Sequence, residues 1–174
     1  MFDSYSQELK TSITLIYSSI IGFLASFFSF FGVYETQTTL NHYTYETTTT
    51  TKTVIQACVD GTIQGGGLAF FLSMIILVVS LITDIMLTSK LYKREDPTKT
   101  TFLFAIVAGG LMLINAIIQI AIFSKAGAQP YSSHASSKEA AIIDNTSFVV
   151  MYLGSFEAAG TSIVGGIIGY KNTW

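Results

Sequence analysis

The order of apolar and polar positions divides the chain into four long apolar runs joined by polar connections of unequal length. The runs are "ITLIYSSIIGFLASFFSFFGV" (13–33), "GLAFFLSMIILVVSLITDIML" (67–87), "FLFAIVAGGLMLINAIIQIAIF" (102–123) and "SFVVMYLGSFEAAGTSIVGGIIGY" (147–170). None alternates apolar and charged faces as the helices of a soluble bundle do. Each is long enough to cross roughly 30 Å of hydrocarbon as a helix. The first run is too long for the apolar core of a signal peptide and lacks a cleavage pattern, so a retained helix is expected.

The connections differ in character. The first, 34–66, contains "VYETQTTLNHYTYETTTTTKTVIQACVD", rich in Thr, Tyr and Val, which suit a pleated surface. Two strands over "TLNHYTYETTTTTKTVIQACV", turning near Asn41 or Lys52, are one reading; a flexible Thr-rich stalk is the other. "DGTIQGGG" (60–67) lacks the Gly-Lys-Ser/Thr ending of a phosphate loop and reads as a connector. The third connection, 124–146, is polar and turn-rich around Gln129-Pro130, with "EAAIID" a short helix or strand.

Composition strengthens the membrane reading. Only 11% of the residues are charged, against about 25% in soluble domains. The mean hydropathy is +0.53. Four of the nine basic residues, Lys90, Lys93, Arg94 and Lys99, fall in the short connection 88–101. The excess of basic residues in cytoplasmic loops then predicts cytoplasmic N- and C-termini, with 34–66 and 124–146 on the outer side. There "NTS" makes Asn145 a candidate glycosylation acceptor. The net charge of −2 gives no footprint for nucleic acid.

Small residues mark where helices approach in lipid. Gly154, Ala158, Ser162 and Gly166 recur every four residues in the fourth run, beside a second stripe of Glu157, Thr161, Gly165 and Gly169. The first run has Ser18, Gly22, Ser26 and Ser29, so the first and last helices are candidate neighbours. Glu157 sits at mid-depth, where an isolated charge costs several kcal/mol. A proton or a hydrogen-bonding partner is therefore expected for it, with Asn115 or Ser26 favoured. Asp84 reads as a charge near a helix end, within reach of water and Lys90. Cys58 is the sole cysteine, which excludes an internal disulfide; it is either a bridge between two copies or a buried thiol.

The stretch "MYLGSFEAAGTSIVGG" resembles the last helix of the claudin-like tetraspan superfamily, which includes claudins, the PMP22/EMP proteins and the TARP channel subunits. The layout is similar too: a long strand-like first outer loop, a short basic inner loop, a shorter second outer loop. The family's first-loop hallmark, a Trp, then Gly-Leu-Trp, then a cysteine pair, is missing; the sole Trp is Trp174 and Cys58 is at most half of the pair. The resemblance implies non-enzymatic assembly and assigns no functional residue. MARVEL-type proteins share the span count.

The expected fold is thus one all-α membrane domain, 1–174, a left-handed four-helix bundle with a small extracellular β-sheet. The expected function is lateral assembly, adhesion and membrane organisation, or service as an auxiliary subunit, through the first outer loop and the small-residue faces. Expected partners are membrane lipids and either further copies or a larger membrane complex, in the plasma membrane, with an organellar one kept open. The alternative is an oligomeric channel or transporter subunit that uses Glu157, with Asn115 and Asp84. An enzyme is disfavoured: His42 and His134 are lone loop histidines without metal-ligand spacing, no catalytic grouping forms at one membrane face, and no cofactor or metal is expected.

Overall fold

The structure, a computed structural model, describes residues 5–40, 45–127 and 145–173. Its elements in chain order are α1 (Gln7–Phe28), a 3-10 turn (Ser29–Phe31), β1 (Val33–Leu40), β2 (Thr47–Thr53), α2 (Val54–Val59), α3 (Gly66–Tyr92), α4 (Lys99–Gly127) and α5 (Asn145–Asn172). Three of the long helices, α1, α3 and α4, are long and apolar enough to cross a membrane. The fourth, α5, is of similar length and carries Glu157 within its span.

Local chemistry sets the boundaries. Ser6 Oγ accepts the Leu9 amide at 3.2 Å and Glu8 lies in the first turn, both favourable at a helix N-terminus. α1 stops at Phe28, five residues short of the apolar run's end, because Val33 is already paired with Thr53 in an antiparallel hairpin. The expected turn at Lys52 is corrected, since Lys52 lies within β2 opposite Glu35. Asn41 lies outside the described residues, as do "EAAIID", Gln129-Pro130 and both histidines.

"VIQACV", expected to extend the second strand, is instead the helix α2. A capping box overrides its strand-like composition: Thr53 Oγ1 accepts the Gln56 amide at 3.4 Å, while the Gln56 side chain accepts the Thr53 amide at 2.9 Å. Gly61 and Gly65, both at φ 79°, then turn the chain into α3, as only glycine does without strain. At the far end of α3, Arg94 adopts φ 59° and Lys90 pairs with Glu95, closing the short connection to α4.

The helices run alternately up and down. Leu9, Ile13 and Ile16 of α1 cluster with Leu87 and Leu91 of α3 and Phe102 of α4 at one end. Lys99 stacks over the Tyr170 ring at the same end, 5.5 Å from its centroid. Phe30, Val54, Ala57, Cys58, Ile63 and Phe123 form the opposite cluster, beneath the hairpin. Phe30 is fully buried there against Phe70 and Phe123, so it seals the head of the bundle rather than meeting lipid, whereas Phe28 and Phe31 are exposed.

Buried positions spaced by seven line the inner face of each long helix, and most of them are small or hydroxylated. Ser12, Ser19 and Ser26 on α1, Ser73, Ser80 and Leu87 on α3, Thr101, Ala108 and Asn115 on α4, and Ser155, Ser162 and Gly169 on α5 are all buried. A seven-residue repeat keeps one face of a helix turned inward over its whole length. Ser19, Ser80, Ala108 and Ser162 meet at mid-bundle around a gap too narrow to admit a water molecule. An apolar group of Phe23, Ile76, Met112, Ala158 and Ala159 closes the interior at another level.

Candidate functional site

The small-residue faces are used up inside the molecule. A Cβ at Gly154 would come within 2.8 Å of the Gly22 carbonyl and 3.2 Å of the Ser26 amide, so α1 and α5 touch through backbone. Lower on the same seam, Ser12 Oγ donates to the Gly165 carbonyl. The other side of α5 meets α4, where Ser162 Oγ donates to the Ala105 carbonyl at 2.7 Å. A Cβ at Gly166 would lie 3.0 Å from the Phe102 carbonyl, and Ala158 is fully buried. Steps of four residues advance by about 40° around a helix, so the stripe that starts on α1 at Gly154 has turned to α4 by Gly166. These faces therefore pack α5 against α1 and α4 inside the molecule.

Asn115 lies in a buried polar network. Its Nδ2 donates to Ser73 Oγ at 2.8 Å, Gln119 Nε2 reaches the same oxygen at 3.4 Å, and Ser155 Oγ donates to Gln119 Oε1 at 3.4 Å. Sequence reasoning gave Gln119 no role, yet it joins α3, α4 and α5. Ser26 Oγ donates to the Phe23 carbonyl of its own helix at 2.8 Å.

Glu157 is elsewhere. Its Oε1 accepts a hydrogen bond of 2.7 Å from Ser18 Oγ, and the residue is exposed on the outside of the α1–α5 seam. The carboxyl lies over Gly22, where a side chain would collide with it. The expected partners Asn115 and Ser26 are thus replaced by Ser18. Two residues along α5 turn the helix by about 200°, so Ser155 points to the buried network while Glu157 points away. Among the described residues the ion pairs are Lys52 with Asp60 and Lys90 with Glu95, and neither touches Glu157. Asp84 does not meet Lys90, which is taken by Glu95; its Oδ1 is buried without a hydrogen-bond partner among the described residues, as are Ser80 Oγ and Asn115 Oδ1.

At the head, Cys58 is 3% exposed and its sulfur lies where a Gly66 side chain would be. Burial, helped by the nearby Asp60 charge, pushes its thiol up to about 11. The thiol is sealed inside the head cluster, which corrects its candidacy as an intermolecular disulfide. Beside it an open groove of about 700 Å³ is lined by Thr50, Thr51, Lys52, Ile55, Gln56, Val59 and Asp60. Val59 is 71% exposed in it. Lys52 Nζ pairs with Asp60 at 2.5 Å and donates to Thr62 Oγ1 at 2.6 Å. That lysine and the Thr62 hydroxyl and amide hold the Asp60 carboxyl down at about 2. The side chain of Asn145 lies outside what the structure describes. Among the described residues no cluster of His, Cys, Asp and Glu has metal-site geometry.

Comparison of the chain with protein-family models, with characterised proteins and with solved structures finds no match.

Proposed function

We propose that this chain is a non-enzymatic four-span membrane protein that organises or accompanies other membrane proteins through the head formed by its first outer loop. One observation carries the reading: the groove beside β2. There β2, its side chains largely exposed, pairs with β1 in a two-stranded sheet among the described residues and lies next to the apolar Ile55 and Val59. The edge of a small sheet is where a further strand can add. A two-stranded sheet is marginal by itself and gains from a third strand or a packing partner. The interior, by contrast, holds no space for a substrate at mid-bundle.

In this reading α5 is the fourth span, the head is extracellular, and both chain ends lie on the cytoplasmic side of the plasma membrane or an organellar equivalent. The likeness to claudin-type tetraspans supports it by layout alone. The test is a cysteine at the exposed Val59 position, treated with a short bifunctional maleimide in native membranes. A discrete crosslinked product, homodimer or heteromer, that is lost when Ile55 is changed to Lys, is the expected result. Complete alkylation of that cysteine with no crosslinked product defeats the proposal.

The conducting alternative survives only between copies, because Glu157 faces outward and not along the bundle axis. Glu157→Gln separates the readings: head crosslinking persists under the assembly proposal, and ion flux in reconstituted vesicles vanishes under the conducting one.

A further inference from the structure

We infer that Glu157 is a carboxyl site reached from the hydrocarbon of the membrane, and hence a site of selective modification by lipid-soluble carboxyl reagents. Counted along α5, Glu157 lies about 18 Å from the first residue of a helix about 42 Å long, near its middle. Its partner Ser18 lies near the middle of α1, which is itself apolar enough to span a bilayer. The residue is exposed on the outer surface of the bundle, and in the four-span reading proposed above, on which this inference rests, that surface faces lipid chains.

The groups facing the carboxyl are neutral. From α1 they are the Ser18 hydroxyl, at 2.7 Å, and the backbone at Gly22; from α5 itself Thr161 lies one turn away, its hydroxyl bonded to the Glu157 carbonyl at 2.8 Å. Among the described residues no lysine, arginine or histidine is paired with it. An unpaired carboxylate in hydrocarbon is costly by several kcal/mol, and a single serine donor does not offset that. Gly22 makes the arrangement stable by leaving room for the carboxyl to lie against the α1 backbone, away from full lipid contact.

Such a group has a specific chemistry. A carboxylic acid adds across one C=N bond of a carbodiimide: its oxygen bonds to the central carbon and the acid proton passes to nitrogen. The acyl group then migrates from oxygen to nitrogen, leaving a stable N-acylurea and no leaving group. Water outcompetes this end-product at exposed carboxylates, whereas hydrocarbon protects it.

The experiment treats the intact protein in lipid nanodiscs near neutral pH with dicyclohexylcarbodiimide and maps the adduct by peptide mass. The expected result is one adduct, on the peptide containing Glu157, with Glu8, Glu46 and Glu95 left free. A water-soluble cationic carbodiimide with an added amine is expected to give the reverse pattern. Ser18→Ala keeps the carboxyl and is expected to keep the adduct; Glu157→Gln removes it. Absence of the Glu157 adduct in folded wild-type protein, or equal labelling of Glu157 by the cationic reagent, overturns the inference. Because the readout is a mapped mass, it stands or falls separately from head crosslinking.

Discussion

At the scale of single residues, the structure sorts the polar groups by their surroundings, and Cys58 shows how that becomes measurable. Its thiol is buried under Gly66 and raised to about 11 from an ordinary 9.0. Only the thiolate attacks a maleimide, so near neutral pH the reactive fraction falls about 100-fold before burial adds its own barrier. We expect native protein to alkylate at least that much more slowly than protein unfolded in detergent, with rates climbing only toward pH 11. Linkage has a definite sign here. The folded state holds the proton more tightly than the unfolded one, so this contribution to stability is complete below pH 9 and is lost as pH rises through about 11. Fast, stoichiometric labelling of the folded protein at neutral pH would remove Cys58 from the head cluster.

At the scale of elements, α5 is the helix whose composition most directs the packing, and its glycines divide into two kinds. A Cβ at Gly165 would sit 2.8 Å from the Ser12 carbonyl and 3.0 Å from Leu15 Cβ, so α1 has to move away. At Gly160 nothing among the described residues lies within 4 Å of such a Cβ. Gly165→Ala is therefore expected to destabilise by about 1–3 kcal/mol. Gly160→Ala, an ordinary helix-propensity gain, should stabilise by up to about 1 kcal/mol. Paired unfolding titrations in one detergent read the difference, and equal effects would contradict the α1–α5 seam.

This contrast also shows what was legible beforehand. The sequence places Gly22, Ser26 and Gly154 on small faces of the first and last helices, and they meet in the structure. It does not reveal which side of α5 looks inward, because spacing fixes relative angle but not the direction of the bundle axis. That is why depth alone offers Asn115 or Ser26 as partners of Glu157, whereas Asn115 lies on the opposite side of α5 and Ser18 takes the contact. The seven-residue hydroxyl pattern was readable, yet runs of Leu, Ile and Phe between its members mask it. In lipid those large side chains face outward, reversing the inside-apolar habit of soluble proteins. α2 departs from the strand pattern for a different reason: a capping box of two residues outweighs the strand preference of Val54 and Ile55.

At the scale of the whole molecule, the arrangement makes a demand on topology that no single contact makes. Residues near Leu9, Leu91, Phe102 and Tyr170 gather at one end and the hairpin with α2 at the other, a consequence of alternating helix direction. If all four long helices cross the bilayer, Gln7 and Asp96 must face one compartment and Thr49 the other. All three positions are exposed, so cysteines can be placed there in a Cys58→Ala background without disturbing a packed surface. In intact cells a membrane-impermeant maleimide should label the Thr49→Cys protein and reach Gln7→Cys and Asp96→Cys only after permeabilisation. Under the proposed topology the basic cluster Lys90, Lys93, Arg94 and Lys99 would set this sense, since positive charge is retained on the cytoplasmic side. Replacing Lys93 and Arg94, both solvent-exposed and outside the Lys90–Glu95 pair, by Gln weakens the bias while leaving the helix contacts intact. A mixed labelling pattern is then expected for all three cysteines. Labelling of Thr49→Cys and Asp96→Cys from the same side in the unaltered background would show that the helices do not all cross, and would return α5 to the membrane surface.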